Sequence, residues 1–210
     1  MADSLLPPAI DQLTDRLRHI PGVGKRSAQK LALDILQIDA EDFDELTNAM
    51  KTMRDTVQLC KISGVFSETE VSPMLSDERR NQHQICLVEK PTDVLSLEKS
   101  EVYHGTYQVL HNLISPLDNI FVDQTNLPAL FSRLETLIGD VELILFLRSS
   151  FGADATVAYI REYIIQKNWQ DRITISRLAQ GLPLFFNADY LDQATMIRAL
   201  EDRRSISASL

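Results

Sequence analysis

His19-Ile-Pro-Gly-Val-Gly-Lys-Arg-Ser-Ala-Gln-Lys30 is the stretch that decides the reading of this chain, because a proline, two glycines one residue apart and a basic run mark a tight turn feeding a helix. Ile10, Leu13, Leu17 and Ile20 recur at helical spacing before it, and Leu31, Ile35 and Leu36 do so after Ser27. Two helices therefore flank the turn. A third pattern, Phe43, Leu46, Met50, Met53 and Val57, follows Asp39, a residue type that caps helix starts. The first 57 residues are expected to be all-helical.

The chemistry of the turn is specific. Gly22 and Gly24 let the backbone turn sharply and come close to a phosphate. Amides at the start of the second helix would face that phosphate with a favourable dipole. Five basic residues, Arg16, Arg18, Lys25, Arg26 and Lys30, fall between positions 16 and 30 with no acidic residue among them. The pattern fits the turn of a helix-hairpin-helix, a unit that grips the nucleic-acid backbone without reading bases, so binding is expected to be non-specific and salt-sensitive. A packing turn or a dimer contact is the alternative. The net charge of −9 requires any DNA contact to be local.

Further along, apolar residues at 44% and charged residues at 24% describe an ordinary folded chain. No run approaches the roughly 18 apolar residues of a membrane span, and MADSLLPPAI has no export-signal character, so a cytoplasmic protein with no membrane contact is expected. Cys60 and Cys86 are then free thiols. Periodicity stops between Leu59 and Asn81, where a linker or a small irregular module is expected. The runs at 85–88, 107–110, 143–147 and 173–176 look like buried strands, alternating with helical stretches at 92–98, 127–138 and 154–167. That alternation predicts a mostly parallel sheet flanked by helices, with a last helix at 189–200. No phosphate loop of the GxxxxGK type occurs, and His19, His83, His104 and His111 are scattered.

In order and spacing these segments resemble the RecR family across nearly the whole chain. The landmarks are Ser76-Asp-Glu-Arg-Arg80, Ile85-Cys-Leu-Val-Glu-Lys-Pro-Thr-Asp-Val94, Gly105-Thr-Tyr-Gln-Val-Leu110, Ile114-Ser-Pro-Leu-Asp118, Asp154-Ala-Thr156 and Arg177-Leu-Ala-Gln-Gly-Leu-Pro183. The resemblance implies an α+β multi-module chain: a helix-hairpin-helix domain at 1–57, a zinc-finger-like module at 58–81, an α/β Toprim domain at 82–180, and a C-terminal helical, Walker-B-like oligomerisation segment at 181–210.

This chain departs from that family in three places. The family's finger has two CxxC pairs, and here they are Cys60 with Ser63 and Ser72 with Leu75. Only Cys60 remains as a zinc ligand, so no metal or other cofactor is expected, and the module is expected to hold together by packing of Val65, Phe66, Val71, Met74 and Leu75. Toprim enzymes hold magnesium with a strand-end glutamate and a DxD pair. Glu89 matches the first, but Arg148-Ser-Ser150 stands in the place of the second, as RecR chains also lack the pair, so catalysis is not expected. Gly181-Leu-Pro-Leu runs into Phe185-Phe186 where the family has a Gly-Gly pair.

The resemblance further implies a non-catalytic DNA-binding recombination mediator. Such a protein works on single-stranded or gapped duplex DNA with RecO, and possibly RecF, helping RecA load on DNA coated with single-strand-binding protein. It forms a homo-oligomer, a dimer or a ring tetramer. Glu89 and Asp93 are the positions implied to face RecO. A degenerate relative that keeps only protein contacts is the alternative, favoured by the acidic charge and the missing cysteines.

Overall fold

The computed structural model describes residues 6–178. The chain divides between Val57 and Gln58 into two compact units.

The first unit is helical. Helix α1 (Pro8–Leu17) starts on a proline, whose fixed φ and missing N–H suit the first helical position. Helix α2 (Lys25–Ile35) packs against it, and Thr14, Ala28 and Ala32 are buried where the two meet. Helix α3 (Ala40–Thr56) is capped as its sequence foretold, Asp39 Oδ1 accepting from the Asp42 amide at 2.9 Å. Nothing on α3 is buried, and its apolar residues Phe43, Leu46, Met50 and Met53 stand exposed.

The second unit opens with a two-residue antiparallel ladder, β1 (Gln58–Leu59) on β2 (Phe66–Ser67). Four parallel strands follow: β3 (Asn81–Val88), β4 (Gly105–Val109), β5 (Val141–Phe146) and β6 (Ile173–Arg177), in the order β4-β3-β5-β6. The crossovers carry α4 (Pro91–Glu98), α5 (Leu127–Thr136) and α6 (Phe151–Gln166). Successive side chains of β3 leave the sheet on opposite sides, and both sides are covered. Ile85 and Leu87 join one core with Leu127, Leu130, Leu134, Leu143 and Ile160. Cys86 and Val88 join a second with Val94, Tyr107 and Val109, to which Cys60 and Val65 also belong.

The sheet and its alternating helices are those expected. The differences lie at element ends and have local causes. Helix α6 begins three residues before the expected Asp154 because Ser150 Oγ accepts from the Ala153 amide at 3.1 Å and starts the helix there. Strand β3 reaches back to Asn81, where alternating exposed residues replace the apolar run. Of the residues expected to pack the small module, Val65 is buried and Met74 and Leu75 partly so, but Phe66 and Val71 are exposed. The helix expected at 189–200, Gly181 and the Phe185-Phe186 pair lie outside the described residues. Among the described residues no helix is long and apolar enough to cross a membrane.

Candidate nucleic-acid interface

The seven residues between α1 and α2 fold as a tight turn. Val23 donates its amide to the Ile20 carbonyl at 3.0 Å, and Gly22 sits at φ +86°, a left-handed conformation that glycine adopts without strain. Gly24 is different. Its φ of −77° suits any residue, so it does not serve the turn, contrary to the expectation that both glycines do. A Cβ there would meet no protein atom within 4 Å. What Gly24 leaves open is space in front of the helix start. It is the N-cap of α2 and offers no side-chain acceptor, and no acidic residue lies in the first turn, so the leading amides of α2 are left for an outside acceptor.

The basic residues sit around this opening. Arg16 and Arg18 lie at the end of α1, and Lys25, Arg26 and Lys30 lie on α2, all five exposed. Among the described residues Arg16, Lys25, Arg26 and Lys30 have no acidic partner, whereas Arg18 pairs with Asp15 at 3.2 Å. That pair was legible in the i,i+3 spacing, just outside the acid-free window. Asp15 also accepts at its backbone carbonyl from His19 Nδ1, 2.7 Å away, which fastens the start of the turn to α1.

In the second unit, Glu89 stands at the C-terminal end of β3 and is mostly covered. Its carboxylate is 3.8 Å from the Arg148 guanidinium, which follows β5. A cation thus stands beside this carboxylate, where a divalent-metal site would need further negative charge. Asp93 accepts from the Lys90 amide at 2.9 Å and closes the first turn of α4. Ser150, at the far end of the Arg148-Ser-Ser150 run, is used as the α6 cap. Among the described residues no cluster of three or more His, Cys, Asp or Glu could hold a metal. Burial pushes the Cys86 thiol up to about 12, which keeps it protonated and inert in the core.

The comparisons agree with the geometry at both ends. The model described as "RecR, helix-hairpin-helix" matches residues 10–54, and the Toprim domain model matches residues 83–179. Recombination protein RecR of Tropheryma whipplei (strain TW08/27) is 38% identical over 199 residues, covering 94% of this chain and 98% of its own. The proteins of the same name from Hydrogenovibrio crunogenus and Finegoldia magna are 36% and 34% identical, each over at least 95% of this chain and 98% of their own. This chain belongs to the RecR family.

Within this RecR-family chain, reasoning from sequence missed two features. One is the Glu89–Arg148 pair, which joins residues 59 positions apart and has no local signal. The other is the role of Cys60, whose sulfur accepts from the amides of Ser63 at 3.4 Å and Ser72 at 3.2 Å. Burial raises the pKa of this thiol, but the hydrogen bonds from Ser63 and Ser72 outweigh it and hold it below the ordinary value.

Proposed function

We propose that this RecR-family chain is a non-catalytic DNA-binding mediator of recombinational repair, acting in the cytoplasm on single-stranded or gapped duplex DNA. The observation that carries the reading is the opening at the start of α2: no side-chain cap on its amides, free space where a Gly24 side chain would stand, and the exposed Arg16, Lys25, Arg26 and Lys30 without acidic partners among the described residues. Such a surface suits one backbone phosphate and its neighbours. The relatives, each named recombination protein RecR, support the process. On this reading the chain works with RecO and RecF to help RecA onto DNA coated with single-strand-binding protein, with Glu89 and Asp93 on the face offered to RecO. The Arg148 guanidinium beside Glu89, in place of a further carboxylate, supports a role without metal chemistry.

Self-association belongs to the same proposal, as a dimer or a ring tetramer. The exposed apolar stripe of α3, and a groove of about 440 Å³ lined by Ile10, Leu13, Ala32, Ile35 and Phe43, support it. Isologous contacts of this kind close soluble homo-oligomers.

The test is fluorescence anisotropy with labelled single-stranded and duplex DNA at two salt concentrations, on protein whose mass is measured by light scattering. Salt-sensitive binding by a dimer or tetramer is expected. An oligomer without DNA affinity at low salt would leave a protein-contact subunit, the reading that the acidic net charge favours.

A further inference from the structure

A four-cysteine zinc finger is what the family resemblance implies for residues 58–81, and the residues present do not fit one. Cys60 is the only thiol at the four ligand positions. Ser63 and Ser72 offer neutral hydroxyls, and Leu75 offers no donor, whereas a closed structural zinc site takes four Cys, His or carboxylate ligands. His83 and Asp77 do not repair the set. His83 is exposed on β3, and Asp77 is held by Arg79 in a two-pronged contact at 2.9 Å.

Even so, the four positions still gather as ligands would. Cys60, Ser63 and Ser72 are 3%, 1% and 4% exposed. Both serine amides point at the Cys60 sulfur, the buried Ser63 hydroxyl has no hydrogen-bond partner among the described residues, and Leu75 packs partly buried on the same cluster. The loop is fixed on its other side by the sheet. Ser63 O accepts from the Val109 amide at 2.7 Å, and Ile62 O from Gln108 Nε2 at 2.8 Å.

We propose that this finger is metal-independent, with the Cys60 sulfur standing at the centre as the acceptor that ties the two knuckles together where the family places an ion. Its remaining stability comes from the shared core with Val65, Cys86, Tyr107 and Val109. The sulfur is thus a structural hub and no longer a ligand.

The test measures zinc per chain by plasma mass spectrometry and the melting temperature with and without a strong chelator, on the full-length protein. Far less than one zinc per chain and an unchanged melting temperature are expected. Cys60→Ala should lower the melting temperature by roughly 4–8 °C, as expected for losing a buried acceptor and its packing in a unit of this size. The triple variant Ser63→Cys, Ser72→Cys, Leu75→Cys should take up about one zinc per chain and become chelator-sensitive, because four thiolates then meet at one point. Stoichiometric zinc in the wild-type protein, or melting brought on by the chelator, would overturn the proposal. So would a folded triple variant that binds no zinc. If that variant does not fold, the wild-type measurements decide alone.

Discussion

Replacing Lys25, Arg26 and Lys30 together with glutamate tests the proposal that the hairpin contacts DNA. All three side chains are exposed and unpaired within the described residues, so the substitution removes no ion pair and leaves the α1–α2 packing at Thr14, Ala28 and Ala32 intact. Each cation that neutralises a phosphate contributes about −0.9 to the slope of log affinity against log salt on duplex and about −0.7 on single strands. Losing three such contacts flattens the slope by about 2.7 and 2.1 respectively. Between about 50 and 200 mM salt, that is roughly a 40-fold change in duplex affinity that the wild-type protein shows and the variant does not. Anisotropy titrations at four or five salt concentrations read the slope, and circular dichroism confirms the fold. A variant with the wild-type slope and affinity would refute the assignment of these residues to DNA.

The two hairpin glycines should separate. Gly22→Ala forces a side chain into φ +86° and should cost about 1–2 kcal/mol of first-unit stability, whereas Gly24→Ala at φ −77° should cost under about 1 kcal/mol yet raise the Kd several-fold; an unchanged Kd for Gly24→Ala means no phosphate approaches there. Gly64→Ala should destabilise the second unit by about 2–5 kcal/mol in urea unfolding, since its Cβ would lie 2.7 Å from Asn126 Nδ2 and His111 Nε2 and 3.0 Å from the Val109 carbonyl at φ +72°. A near-neutral result would show that the loop around Gly64 does not seat against β4. Asp77 is held down to about 2 by the hydrogen bonds and charge of Arg79, so its contribution is complete above about pH 3.9 and lost as pH falls toward 2. Asp77→Asn should therefore flatten the acid side of the stability profile in that window, and a profile identical to wild type would remove Asp77 from it.

The sheet was legible because its strands are covered on both faces. The buried second half of β3 holds no polar residue, so ICLV at 85–88 announces itself as an unbroken apolar run, and the spacing of such runs points to the parallel crossovers. The hairpin was legible for the opposite reason: its glycines and exposed cations depart from what packing alone would select. What sequence could not show were features joining distant positions. Arg148 falls beside Glu89 only because β3 and β5 are neighbours in the sheet. The seating of Ser63 on Val109 depends on main-chain groups that every residue carries, so no residue type signals it. Gly24 looked like a turn residue because its spacing from Gly22 suggests it, and only the dihedral angle separates the two roles.

Strand β4 lies at one border of the sheet with all five of its residues buried, the polar Thr106 and Gln108 among them, and a sheet border left open is what recruits foreign strands. The main-chain carbonyl of Ser63 occupies the Val109 amide, and that of Ile62 accepts from the Gln108 side chain, so the loop docks on that border at these two points. On the proposal above, this loop would shield that border through backbone contacts that need no metal. Drift that dismantled it would then surface as aggregation.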